Sequence, residues 1–150
     1  MRTIFDPALE QQTIERIQRL TPDAARRWGK FTAPRMVAHL IDALQIPLHE
    51  REVVVRRSIT TNRIVRHVMI FWLPWPKGRV PTMTEYFLVT QPGDFGADVA
   101  RLCDYVHKVA DAGRRGFDFQ PHPAFGDLSR EQWGGLMLRH ADHHLTQFGV

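Results

Sequence analysis

The sequence predicts an all-α bundle of four main helices joined by one long crossover. Three observations carry this expectation. Four segments repeat apolar residues at helical spacing. Three of those segments open on a capping signal. The stretch between the second and third, Leu48 to Asp94, is broken by prolines and glycines, and its strand-like runs are too short to make the protein α+β.

The first helix is expected from about Asp6 to Leu20. Asp6 offers an N-cap acceptor and Pro7 suits the first helical position. Leu9, Ile14, Ile17 and Leu20 form its apolar stripe. Thr21-Pro22-Asp23 repeats the start signal, so a short helix is expected toward Trp28, stopped by Gly29. The second main helix starts at Thr32-Ala33-Pro34 and is ended or bent by Pro47. Its buried positions are Met36, Val37, Leu40, Ala43 and Leu44, and His39 borders or joins them.

In the crossover, Glu52 to Val55 reads as a short extended run and Asn62 to Leu73 as a helix. Leu73-Pro74-Trp75-Pro76-Lys77-Gly78 breaks that helix, and Pro81 and Gln91-Pro92-Gly93 add further turns. The third main helix runs from about Phe95 to Ala112 on Val99, Leu102, Cys103, Val106 and Ala110, with Gly113 and Gly116 as its stop. Gln120 to Pro123 reads as a loop. Ser129 and Gln132 form a capping box for the final helix. On it, Trp133, Leu136, Met137, His140, His144 and Phe148 lie at offsets 0, 3, 4, 7, 11 and 15, which is one stripe. His143 is rotated off it, and Gly134 and Gly135 mark a close approach.

A chain of 150 residues has the size of one domain, expected over residues 1–150. Its single cysteine, Cys103, excludes an internal disulfide framework. No signal segment is visible at Met1 to Pro7, and the longest apolar run, Val68 to Leu73, is too short to span a bilayer. A soluble cytoplasmic protein, with no membrane partner, is the expectation. The net charge is +4, from 17 Arg and 3 Lys against 16 acids. Arg51, Arg56, Arg57, Arg63 and Arg66 make the densest basic patch, read as a solvated surface, with an anion site as the competing reading. No nucleic-acid motif accompanies it, so a nucleic-acid partner is not expected. The scarce serines, Ser58 and Ser129, argue against a serine hydrolase.

The chemistry concentrates on histidine. His140 and His144 are four residues apart, so on a helix their rings leave one face about 6 Å apart along the axis. That spacing lets two imidazoles grip one metal ion, although the glutamate of the zinc-protease motif is missing. His39 joins them from an inward face of the second main helix. Bundle interiors are where facing helices build metal sites, and neutral imidazole suits zinc, nickel, copper or iron. Three protein ligands leave positions open for water or a substrate. The competing reading is three histidines separately satisfied in the core or at the surface. Asp42, Asp142 and His143 are candidates to orient the ligands. Asp104 could act in the same way, but Asp42, Asp104 and Asp142 each read first as a surface carboxylate. Cys103 reads as a buried packing residue, His107 as a neighbour of the site, and Trp28, Trp72, Trp75 and Trp133 as core or rim.

Met36-Val-Ala-His39-Leu-Ile-Asp42 and the run from Trp133 through His140, His143, His144 and Gln147 to Gly149 resemble the DinB-like superfamily. Leu20 to Asp23, Trp28 to Thr32 and His122 to Gly126 are similar to one of its branches of unknown function. The resemblance covers nearly the whole chain. It implies a four-helix bundle with up-down-down-up connectivity and a long link between its second and third helices. It also implies a divalent metal, zinc or nickel first, held by His39, His140 and His144. Those relatives in that superfamily whose activity is known are thiol-dependent transferases or isomerases that use mycothiol, bacillithiol or glutathione. A small-molecule electrophile and a low-molecular-weight thiol are the partners so implied. The alternative is a non-catalytic helical module that dimerises through an apolar face, its metal structural or vestigial.

Overall fold

The computed structural model describes residues 2–75, 77 and 84–150, with nothing stated for the side chains of Thr84 and Glu85. The regular elements among them are all helices, with no strand; the β pairing among the described residues is an isolated bridge between His122 and Gly126. The helices are α1 Pro7–Gln18, α2 Ala33–Gln45, α3 Arg63–Phe71, α4 Thr84–Phe87, α5 Phe95–Arg114 and α6 Arg130–Gln147, with a 3-10 turn at Ile59–Thr61. The breaks expected at Pro76, Gly78 and Pro81 lie outside the described residues.

Local chemistry explains the starts. The Asp6 side chain accepts from Ala8 N at 2.9 Å, with Pro7 at the first helical position. Thr32 caps α2 through Arg35 N, and Asp94 caps α5 through Ala97 N at 2.8 Å. Ser129 and Gln132 close both halves of the capping box on α6. Each cap satisfies backbone donors that a helix N-terminus leaves open.

The long helices then bury one another. Helix α5 packs on α1 and α2, and α6 packs on α1, α2, α3 and α5. Helix α2 is buried on nearly every side, Asp42 and Gln45 included. Ile17, Met36, Ile41, Leu102, Val109, Trp133 and Leu145 sit at the centre with almost no exposure. A buried acid, Glu10, ties α1 to α5 through Arg114 at 2.5 Å and His107 at 2.7 Å. His107 therefore faces Glu10 rather than the histidine trio, against expectation; its ring is mostly exposed.

Four further expectations are corrected. The segment from Thr21 to Gly29 is a turn and an irregular strap, not a short helix. Its backbone is drawn to α6 instead, where Arg27 N donates to Gln147 O at 2.7 Å. Gly113 lies inside α5 rather than after it. There its missing Cβ leaves room for the Phe5 ring, which also presses on Gly134 of α6, where a Cβ would come within 2.6 Å of it. The positive φ of +77° falls at Gly116, past the end of α5. Glu52 to Val55 belongs to no strand or helix. Trp72 is exposed on the surface, whereas Trp133 is core and Trp28 and Trp75 are partly buried. Among the described residues no helix is long and apolar enough to cross a membrane.

His122 closes the loop before α6. Its Nδ1 accepts from Ala124 N at 3.0 Å and Phe125 N at 3.2 Å, and burial pushes its pKa down to about 3. An unfolded histidine titrates near 6.5. Between those two values the unfolded chain binds the extra proton, so the contribution of His122 is complete above about pH 6.5 and is lost as pH falls toward 3. The Tm of the metal-free protein is expected to fall steeply across that window. His122→Asn keeps an acceptor without the titration, and should flatten the fall by on the order of a few kcal/mol. An unchanged pH profile of Tm would refute the assignment.

Candidate metal centre

The three histidines selected by the helical stripes come together. His39 projects from the middle of α2, and His140 and His144 from one face of α6. Their ring centroids are 4.8–4.9 Å apart, and one nitrogen from each lies within 4.8 Å of the others. His39 Nε2 is 3.0 Å from His140 Nε2. His39 and His144 are buried, and His140 keeps some exposure.

Two of the rings have their tautomer set from behind. The Phe87 carbonyl accepts from His39 Nδ1 at 2.9 Å, so His39 Nε2 carries a lone pair. Gln147 Nε2 donates to Trp28 O at 2.6 Å, which turns Gln147 Oε1 toward His144 Nδ1 at 3.0 Å. His144 Nε2 is thereby left as an acceptor as well. Without a cation, the proton shared between His39 and His140 belongs on His140 Nε2, because His39 Nδ1 already donates. A metal ligand needs that proton on His140 Nδ1, which is a tautomer change at one ring. Orientation of ligand imidazoles by carbonyl and amide oxygens is the usual support of histidine metal sites.

The surroundings keep the trio neutral. Burial pushes the pKa of His39 down to about 4 and that of His144 to about 3. Burial, with the neighbouring His39 and His144, holds His140 well below the ordinary range. Phe31 lies on both His39 and His144, at centroid distances of 5.1 and 5.8 Å, and Phe87 lies 5.9 Å from His39. Neutral rings with free lone pairs are the form that binds metal, so acid does not compete until well below neutral pH.

Asp42 is buried, not at the surface, and it acts one step away from the histidines. Val89 N and the Thr90 hydroxyl donate to it at 2.7 and 2.5 Å, and Thr90 N at 3.1 Å. From the same face of α2, Arg35 donates to Leu88 O at 2.7 Å and Thr90 O at 2.6 Å. Arg35, His39 and Asp42 thus form one stripe that grips the backbone from Phe87 to Thr90, and the Phe87 carbonyl on His39 is part of the same grip. Arg51 completes it by pairing with Asp42 at 2.8 Å, so it is not part of a solvated basic patch. Arg66 also turns inward, to Phe125 O at 3.2 Å.

Asp142 is exposed and pairs with Arg16 at 2.7 Å. His143 is half-buried between Trp28 and Trp75, with centroids 5.7 and 5.9 Å away. Trp75 also borders His140 at 5.9 Å. Cys103 is half-buried on α5, its thiol pKa raised by burial, as suits a packing residue. Asp104 is exposed on the same helix. A cavity of about 580 Å³ lies elsewhere, between α1, α3 and the outer side of α6.

Sequence reasoning missed Phe87, Gln147 and Phe31. Gln147 was within reach of it: one turn after His144, it returns to the buried side of α6. Phe87 contributes a backbone carbonyl from the crossover, for which no side-chain pattern exists. Gln147→Leu is expected to free the His144 ring and to weaken binding of zinc about 10- to 100-fold, measured by competition with a chelating dye. Equal affinity would show that the amide does not set the ring.

The fold and the site define an all-helical domain with a buried trio of neutral histidines, close enough together to hold one metal ion. The chain belongs to the family described as "Protein of unknown function (DUF1569)", whose model matches residues 7–149. No curated protein and no solved structure matches it.

Proposed function

We propose that the protein is a divalent-metal enzyme of the DinB-like superfamily, a thiol S-transferase or isomerase acting on a small electrophile. The observation that carries this reading is the convergence of three neutral imidazoles from α2 and α6, two of them locked with a lone pair on Nε2. The resemblance of Met36 to Asp42 and of Trp133 to Gly149 adds to it. So does the packing among α1, α2, α5 and α6, with residues 46–94 linking α2 to α5, which fits an up-down-down-up four-helix bundle.

His39, His140 and His144 would hold the ion, and a set of three imidazoles suits zinc or nickel. Such an ion supplies Lewis acidity that brings the pKa of a thiol or water toward neutrality. The residues do the rest. Phe31 and Phe87 exclude water from the inner side. The partly exposed edge of His140, beside Trp75 and His143, is the side from which a small molecule approaches. In the transfer, the thiol gives its proton to solvent and its sulfur bonds the electrophilic carbon; the pair of the bond that breaks departs with the leaving group or shifts to the neighbouring atom, which then takes a proton from solvent. Mycothiol, bacillithiol and glutathione are the candidate thiols.

The test has two stages. Purified protein is analysed for metal beside His39→Ala/His140→Ala, and then screened for adducts of the three thiols with a panel of small electrophiles. Metal retained by the double variant would remove the site. Metal that stabilises the fold while no adduct forms would make the centre structural and end the enzyme reading.

A further inference from the structure

Helix α3 is packed at its C-terminal end and bare toward its start. Ile70 and Phe71 turn inward, Ile70 fully buried and Phe71 against Gly135 of α6. Ile64 and Val68 find no cover among the described residues, and Trp72 stands at the rim of the cavity that Phe71, Arg139 and Asp142 also line. Ile64, Val68 and Trp72, spaced four apart, are 75 %, 37 % and 76 % exposed, and Leu73 beside them is half exposed. Ile59, in the 3-10 turn packed on α3, is 76 % exposed too. Single exposed apolar residues are ordinary, but a row of them along one short helix marks a contact surface.

Charge decides what kind of contact. From Val53 to Trp75 the sequence carries Arg56, Arg57, Arg63 and Arg66 and no Asp or Glu. Arg66 is turned inward, while Arg57 and Arg63 are exposed at the entry to α3. A second copy placed on this face would set those arginines against each other with no acid in the segment to pair them. A nucleic acid would take the arginines and leave Ile64 and Val68 in water. An anionic bilayer accommodates both: lipid headgroups for the cations, and the acyl boundary a few ångströms deeper for the apolar row. Trp72, at the C-terminal end of the row, is the residue type that settles at headgroup level.

We propose that the outer face of α3 docks the protein on an anionic lipid bilayer surface, with Ile64, Val68 and Trp72 inserted and Arg57 and Arg63 on the headgroups. This is a peripheral contact, separate from the histidine centre and independent of its chemistry. The test is co-sedimentation of the full chain with vesicles of phosphatidylcholine, alone or mixed with phosphatidylglycerol, at low and high salt. Binding is expected to the mixed vesicles and to fade as salt rises. Loss of each arginine should lower the partition coefficient about fivefold, so Arg57→Glu/Arg63→Glu should lower it more than about 25-fold. Ile64→Ser/Trp72→Ser should lower it at least about tenfold with Tm unchanged, since both side chains are already in water. Three results would overturn the proposal. The first is no binding to the anionic vesicles. The second is binding that survives Ile64→Ser/Trp72→Ser. The third is a dimer in sedimentation equilibrium that this variant dissociates, which would give the face to a second copy.

Discussion

His140→Ala is expected to abolish tight metal binding while leaving the metal-free fold almost intact. The two effects separate because of where His140 sits. Its ring is partly exposed, so its removal opens no sealed cavity in the core. The metal-free chain loses one hydrogen bond, to His39 Nε2 at 3.0 Å, worth about 1 kcal/mol. The metal centre loses a third of its protein ligands. Removing an outer support of such a site lowers affinity about 10- to 100-fold, and removing a ligand should exceed that. Zinc at about 1,000 times its Kd would add about 4 kcal/mol to the stability of the wild-type chain, and this gain should vanish in the variant. Thermal melts with zinc and with a chelator measure both terms. A variant that gains as much from zinc as the wild type would place the ion elsewhere.

Asp42→Ala should be the most destabilising change near the site. The carboxylate is fully buried and holds Val89 N, Thr90 N, the Thr90 hydroxyl and Arg51. Its loss leaves the Val89 and Thr90 donors without their acceptor and the mostly buried Arg51 guanidinium with Gln45 alone, at about 3–5 kcal/mol. For a domain of this size that is a drop in Tm of roughly 10 °C. Asp42→Asn keeps an oxygen for Thr90 and should lose about half as much. Both variants loosen the segment that presents the Phe87 carbonyl to His39, so zinc affinity should fall with stability. A stability loss with unchanged zinc affinity would confine Asp42 to the fold and uncouple it from the centre.

These residues show what the sequence can disclose. Helix starts at Asp6, Thr32 and Ser129 were legible because capping is local: the side chain and the amide it satisfies are two or three residues apart. The inward face of α6 was legible because Trp133, Leu136, Met137, His140, His144 and Phe148 keep one period. Asp42 misled because burial of an acid depends on distant partners, here Thr90 and Arg51. The strap from Thr21 to Gly29 misled for a similar reason. Its start signal resembles that of α1, but α6 captures its backbone through Gln147. His107 fell on the expected helix, yet Glu10 of α1 draws it away from the trio. The exposure of Trp72 was invisible because period alone does not say whether a second face finds a partner.

X-ray absorption at the zinc edge of the zinc-loaded chain reads the ligands of the ion themselves. Imidazole scattering is expected from three nitrogens at about 2.0–2.1 Å, completed by oxygen or nitrogen from solvent or buffer. The imidazole signal should be lost in His39→Ala/His140→Ala. A shell of oxygens alone, or a sulfur near 2.3 Å from Cys103, would contradict it.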